Sequence, residues 1–144
     1  MRLFNQDTKV QALRRAPLFQ DLSRKELVEL ARHSEDVEVP AGKVLCTEGE
    51  TGKEFFVIVD GQATVTRNER RVTGRGPGDF FGEISLLEDT PRMATVTAKT
   101  PLRVFVLTGP DFRHLLDQNP NVERKVLRAL ARRVIELSSD PTLA

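Results

Sequence analysis

The middle of the chain constrains its fold most strongly. Between residues 37 and 107, short runs rich in Val, Thr, Phe and Ile alternate with closely spaced turn residues. This pattern is typical of an all-β sandwich or barrel. The segments 63–67 and 94–99 alternate Thr with Val and Ala, which predicts one buried face. The runs that we expect to form strands are residues 37–39, 44–47, 55–59, 63–67, 71–73, 94–99 and 103–108.

Helical patterns appear on both sides of this β region. Ser23, followed by Glu26 three residues later, has the spacing of a capping box, and the helix behind it should end near His33. An earlier helix is expected around residues 10–13. After the β region, residues 111–118 form one predicted helix and Pro120 begins another, since proline is favoured in the first turn.

The last predicted helix has an apolar stripe at spacings of three, four and three residues. Its members are Leu127, Leu130, Val134 and Leu137. Packing against the β region is the simplest interpretation of such a stripe. A short dimer contact and a movable lid are the alternatives, because so few heptads cannot sustain an independent coiled coil.

Composition limits the class of protein. A length of 144 residues fits a single domain, for which we expect N-terminal helices over 1–35, a β region over 36–108 and C-terminal helices over 109–139. Twenty-two Lys and Arg against twenty-one Asp and Glu give a net charge of +1, which argues against direct nucleic-acid binding. The single Cys46, the polar N-terminus and the absence of a long apolar run predict a cytoplasmic protein without a membrane span.

Residues 78–96 break the strand pattern in the middle of the β region. Residues 83–87 have a helical composition, but Pro91 prevents a long helix. The first amides of so short a helix lack partners within it, and Gly82 would let a ligand approach the backbone closely. Ser85 adds a hydroxyl, and Arg92 could bond a phosphate with its fork of donors. The segment therefore predicts a small anion site.

Glu83 does not fit a site that binds only an anion. A carboxylate beside a phosphate repels it unless the carboxylate binds something else, and a pair of sugar hydroxyls is the natural partner. The simpler alternative is a surface salt bridge between Glu83 and Arg92, worth about 0–1 kcal/mol.

This segment resembles the phosphate-binding cassette of cyclic nucleotide-binding domains, with FGEISLL at 81–87 and PRMA at 91–94. Other landmarks of that family follow in its order: LF at 18–19, PAG at 40–42, EG at 48–49, FVI at 56–58, Gly61 and GPGD at 76–79. The resemblance covers roughly residues 16–137. It implies a mainly β fold with flanking helices: a jelly-roll-like antiparallel β-roll of about eight strands, with N-terminal helices and a C-terminal helix that closes over the ligand.

The resemblance also implies roles for the cassette residues. Glu83 would bind the ribose 2′-hydroxyl, and Arg92 would bind the cyclic phosphate. Gly82, Ile84 and Ser85 would contribute main-chain donors around the sugar and the phosphate. These roles agree with the chemistry argued from the residues themselves.

The remaining positions concern the base. The family usually has a small residue where this chain has Met93, next to Ala94 in the ligand site, and a Thr or Ser there is associated with cGMP. Met93 offers no hydroxyl, so we expect cAMP as the ligand and cGMP less. Val72 is a candidate for the base pocket. Arg132 or Arg133 resembles an arginine that caps the base in bacterial cyclic nucleotide-gated channels; the alternative is a solvated basic face.

The residues show no catalytic constellation. His33 and His114 both fall in predicted helices, no cysteine pair exists, and Ser85 lacks a base to activate it. We therefore expect neither an enzyme nor a metal site. The sequence predicts a cyclic-nucleotide sensor that acts on an unidentified effector protein or domain, since residues 138–144 cannot hold a DNA reader. The alternative is a protein-interaction module that keeps this fold without binding nucleotide.

Overall fold

The computed structural model describes residues 6–137, in which eight strands form two antiparallel sheets flanked by helices. The helices are α1 (Gln6–Arg15), α2 (Arg24–His33), α3 (Glu83–Glu88), α4 (Gly109–Gln118) and α5 (Pro120–Leu137), with a 3₁₀ turn at Pro17–Phe19. The strands are β1 (Glu35–Val39), β2 (Val44–Cys46), β3 (Glu54–Asp60), β4 (Ala63–Arg67), β5 (Arg70–Arg75), β6 (Phe80–Phe81), β7 (Thr95–Ala98) and β8 (Leu102–Thr108). The ends of the expected domain, 1–5 and 138–144, lie outside the described residues.

The strand orders are β1-β8-β3-β6 in one sheet and β2-β7-β4-β5 in the other. Each pairing is antiparallel, as between β3 and β8, where Phe56 lies opposite Val106. The predicted fold, a mainly β roll of eight strands with helices at both ends, is confirmed. None of the helices in the described part of the chain is long and apolar enough to cross a membrane.

β3 is apolar throughout because both of its faces are covered. Phe55 and Val57 belong to the core formed with the helices, whereas Phe56 and Ile58 belong to the core between the two sheets. Successive side chains of a strand point to opposite faces, so a strand buried on both sides loses its polar alternation. The prediction of a central strand here is confirmed, since β3 lies between β8 and β6.

The helices cover the outer face of the first sheet. The predicted capping box is present, with Ser23 Oγ accepting from the Glu26 amide and Glu26 accepting from the Ser23 amide. In α4, the Phe112 ring stacks on Phe55 at 4.2 Å between ring centroids. The stacking holds α4 against β3, and Leu27, Leu30 and Ala31 of α2 lie in the same core.

The structure differs from the prediction at β6 and at β5. β6 was not predicted, because two residues followed by Gly82 carry no periodic signal. β5 runs over Arg70–Arg75 and is longer than the predicted segment 71–73. Its polar, largely exposed residues lack the pattern of a half-buried strand.

The predicted packing of the α5 stripe is wrong for Leu127 and Val134, which are 58% and 62% exposed. The side chains of α5 that pack on the core are those of Val122, Val126, Ala129 and Leu130. The helix carries two apolar faces, and the contacts near its start decide between them. Lys125 Nζ lies 2.8 Å from both Asp21 Oδ2 and the Pro17 carbonyl oxygen, which fixes the rotation of the helix. The Leu137 side chain lies outside the described residues.

Candidate functional site

The turn from β6 into α3 requires glycine at position 82. Gly82 has a φ of +94°, a left-handed conformation that residues with a side chain rarely adopt. A Cβ there would lie 2.7 Å from the Glu54 carbonyl oxygen and 2.8 Å from Arg92 Nη1. Gly82 therefore lets the main chain turn next to the arginine. As the N-cap of α3, it also leaves the first amides of that helix without a side-chain cap.

The main chain of Arg92 is held by the loop between β2 and β3. The Gly49 amide donates to the Arg92 carbonyl, and the Arg92 amide donates to the Glu50 carbonyl, both at 2.8 Å. Gly52 in the same loop makes room for the side chain, because a Cβ at that position would lie 2.2 Å from Arg92 Nε. This loop aims Arg92 toward α3.

The Arg92 side chain is buried, with 7% of the residue exposed. Its Nη1 donates to the Gly82 carbonyl at 2.8 Å, and its Nη2 donates to the Glu54 carbonyl at 2.7 Å. A guanidinium has five N–H donors, so three remain for another partner. Arg92 is thus fixed in direction while it keeps the capacity to bind an anion.

Glu83 is the first residue of α3, and only 2% of it is exposed to solvent. Its Oε1 accepts a hydrogen bond from Arg133 Nη1, whereas its Oε2 is buried without a hydrogen-bond partner among the described residues. Glu83 and Arg92 bond to different groups and both are buried. The alternative of a surface salt bridge between them is therefore wrong.

Arg133 extends from α5 into the site. It donates from Nη1 to Glu83 and from Nη2 to the Phe80 carbonyl, and its guanidinium carbon lies 4.6 Å from the centroid of the Phe80 ring. The side chain is 18% exposed. Arg133 is therefore not part of a solvated basic face, whereas Arg132 is exposed.

These groups surround one cavity of about 380 Å³. The predicted site residues that line it are Val72, Gly82, Glu83, Ile84, Ser85, Arg92, Met93, Ala94 and Arg133. Arg132 is not among the lining residues. Of the described residues that form the wall, four are arginines and Glu83 is the one carboxylate. The cavity is therefore positively charged and suits an anionic ligand.

Val72 reaches the cavity through an irregularity in β5. Val65 pairs with Thr73 and Thr66 with Arg71, so Val72 is an extra residue without a partner across the ladder. Such a β-bulge redirects a side chain. Val72 is 38% exposed and, with Met93 at 48%, gives the cavity wall an apolar part that could contact a purine.

Several lining residues were not predicted from the sequence. They are Cys46, Val65, Arg67, Thr73, Arg75, Phe81 and Val96. All seven lie on strands, where their residue type gives no functional signal. Burial raises the pKa of the Cys46 thiol to about 11, although the positive charge of Arg92 partly offsets this effect. The thiol is therefore neutral at neutral pH.

Metal ligation has no candidate in the described part of the chain, where no three His, Cys, Asp or Glu side chains come together. The polar groups of the cavity can instead donate to an anion through Arg92 and accept from a hydroxyl through Glu83. A ligand that carries both groups at neighbouring positions fits this arrangement.

Sequence comparisons identify a family and relatives to which the chain is similar. The cyclic nucleotide-binding domain model matches residues 36–119. A cyclic nucleotide-gated potassium channel of Rhizobium etli is 40% identical over 118 residues, covering 81% of this chain and 33% of the channel. A CRP-like cAMP-activated global transcriptional regulator of Mycobacterium tuberculosis is 30% identical over 127 residues, covering 85% of this chain and 57% of the regulator. The chain thus spans less than two thirds of the length of either relative.

Solved structures show the same architecture. The cAMP-bound PfPKA-R (141–441) superposes with a TM-score of 0.80 at 26% identity, covering 95% of this chain and 49% of that one. PKAR CBD2, bound to Sp-2Cl-cAMPS, gives a TM-score of 0.77 at 25% identity, covering 96% of this chain and 98% of that one. The similarity therefore extends over nearly the whole chain.

Proposed function

Because the chain belongs to the cyclic nucleotide-binding domain family, we propose that it binds cAMP reversibly and acts as a regulatory sensor. In this proposal the cyclic phosphate accepts hydrogen bonds from Arg92 and from the first amides of α3. The ribose 2′-hydroxyl donates to Glu83. The base lies against the apolar part of the cavity wall.

The observation that carries the proposal is the presence of two buried polar side chains, those of Arg92 and Glu83, in one cavity. Arg92 retains three N–H donors and Glu83 retains one unpartnered oxygen, although both residues are buried. Buried polar groups are normally satisfied, and a cavity of about 380 Å³ lies in the range of small-ligand sites. A cyclic nucleotide would offer its phosphate to the remaining N–H groups of Arg92 and a hydroxyl group to Glu83 Oε2.

We expect cAMP in preference to cGMP. Met93 lines the cavity at the position where the family resemblance associates a Thr or Ser with cGMP, and its thioether is not a hydrogen-bond donor. The regulator of Mycobacterium tuberculosis is cAMP-activated, and PfPKA-R (141–441) is bound to cAMP. The titration below tests this preference.

The described residues form the proposed sensor, and the effector that receives its signal lies elsewhere in this proposal. Since the chain spans a third of the channel and just over half of the regulator, the signal would pass to another domain or to a separate protein. We propose a cytoplasmic sensor that does not hydrolyse its ligand. The alternative, an interaction module that has lost nucleotide binding, predicts no affinity for either cyclic nucleotide.

Calorimetric titration with cAMP, cGMP and 5′-AMP tests the proposal. The chain should bind cAMP most tightly, and cAMP recovered afterwards should be intact. Arg92→Ala should weaken binding by about 2–5 kcal/mol, because it removes a charge-assisted contact to an enclosed phosphate. Arg128→Ala, which removes an exposed arginine of α5, is the matched control and should bind as the wild type does.

Three results would contradict the proposal. Unchanged affinity in Arg92→Ala would remove the phosphate assignment. Formation of AMP would show hydrolysis. No binding of any cyclic nucleotide by the wild type would favour the interaction module.

A further inference from the structure

The two oxygens of the Glu83 carboxylate have different surroundings. Oε1 accepts from Arg133, whereas Oε2 has no partner among the described residues. Only 2% of Glu83 is exposed, so water cannot readily satisfy Oε2. An unpaired oxygen on a buried carboxylate is costly, and a native site normally provides a partner for it.

Arg133 is itself held in a fixed orientation. It donates to the Phe80 carbonyl with the second arm of its fork, and the guanidinium lies over the Phe80 ring. A planar group that is bonded at two points and stacked on a third cannot rotate freely. Arg133 therefore fixes the plane of the carboxylate that it binds.

The charges in the cavity give this contact a second effect. Glu83 and Arg92 line the same cavity, so a phosphate bound by Arg92 would lie near the Glu83 carboxylate and be repelled by it. The guanidinium of Arg133, bonded to that carboxylate, offsets its negative charge. The repulsion between the phosphate and the carboxylate is thereby reduced.

We propose that Arg133 is a positioning residue for sugar recognition, which occupies Glu83 Oε1 and leaves Oε2 as the acceptor for a ribose hydroxyl. This inference rests on the proposed function. It differs from stacking of an arginine on the base, because the Arg133 guanidinium already lies on Phe80 and Glu83. Since Arg133 belongs to α5, the sugar contact and the docking of that helix depend on the same carboxylate.

The test compares the affinity of the whole chain for cAMP and for 2′-deoxy-cAMP by calorimetry. The wild type should prefer cAMP roughly tenfold to a hundredfold, as expected for one hydrogen bond to a buried charged acceptor. Arg133→Ala should lose most of this preference, and the control Arg128→Ala should keep it. Arg133→Lys keeps the positive charge but cannot hold Glu83 and the Phe80 carbonyl at the same time as a guanidinium does. This variant should therefore bind cAMP more tightly than Arg133→Ala, but without the sugar preference.

Each outcome decides the matter. A full sugar preference in Arg133→Ala, or in Arg133→Lys, would overturn the positioning role. A wild type that binds both ligands equally would overturn this inference while leaving nucleotide binding in place. A wild type that binds neither ligand would overturn the proposed function and this inference with it. Circular dichroism checks folding, and if Arg133→Ala is unfolded, the Arg133→Lys comparison decides.

Discussion

Arg92 lies in the protein interior because its neighbours leave space for it and accept its hydrogen bonds. Gly52 and Gly82 both lie where a Cβ would collide with the guanidinium. The carbonyl oxygens of Glu54 and Gly82 then accept two of its N–H groups. An arginine that is fixed and partly satisfied before the ligand arrives loses little side-chain entropy on binding. The cavity is therefore preorganised for an anion.

Cys46 provides a residue-scale prediction that depends on pH. Its pKa rises from 9.0 to about 11 on burial, so between these values the unfolded chain loses the thiol proton while the folded chain keeps it. The contribution of the protonated Cys46 thiol to the stability of the fold is therefore fully present below pH 9. It is lost as the pH rises toward 11. Urea unfolding measures the free energy of unfolding at pH 8 and at pH 10.5. Between these two pH values, this free energy should fall by about 2 kcal/mol more in the wild type than in Cys46→Ala. Parallel losses in the two proteins would contradict the burial of an ionisable thiol in the cavity wall.

The residue types of the site were predictable, but their partners were not. Glu83 and Arg92 lie in one short segment, whose composition already indicated an anion and a sugar. The bond from Arg133 to Glu83 joins residues 50 positions apart and depends on the docking of α5. No local pattern encodes such a contact. The arrangement of the site therefore had to come from the tertiary structure.

At the scale of elements, the strands with alternating or fully apolar patterns were predicted within one or two residues. β6 was missed because two residues cannot show a period. The packing of α5 was misassigned because its sequence offers two apolar faces, and long-range contacts such as Lys125 with Asp21 select the other one. Periodicity identifies an element but does not choose between two competing faces.

α5 has two halves that are held differently. Val122 and Val126 are 1% exposed, so the first half is packed firmly. In the second half, Val134 and Ile135 are 62% and 72% exposed, and the described contacts to the roll beyond Leu130 come from Arg133. The second half should therefore be the part that responds to ligand.

Hydrogen exchange with and without cAMP tests this response. Ligand should slow exchange in α3 and in α5 beyond Leu130, since it favours the state in which Arg133 is docked on Glu83. The first half of α5 should change little and is the internal control. Slower exchange confined to α3 would mean that the ligand binds without ordering the helix.

In the whole molecule, the strands β3 and β8 are distinct from the segments that line the cavity. β3 and β8 contribute to both cores, one shared with the helices and one between the sheets. The cavity opens beside this framework, on α3, β5 and the segment before β7. A homodimer through α5 stays a prediction, for which the exposed Leu127, Val134 and Ile135 offer an apolar surface. The described residues of one chain line the cavity.

The proposed function requires that this cavity binds a cyclic nucleotide through Arg92 and Glu83. A crystal structure of the chain with cAMP tests it most directly. We expect the phosphate to lie within hydrogen-bond distance of Arg92 and of the first amides of α3. The ribose 2′-hydroxyl should donate to Glu83 Oε2, with Oε1 still bonded to Arg133. A nucleotide bound elsewhere, or one whose phosphate does not contact Arg92, would contradict it.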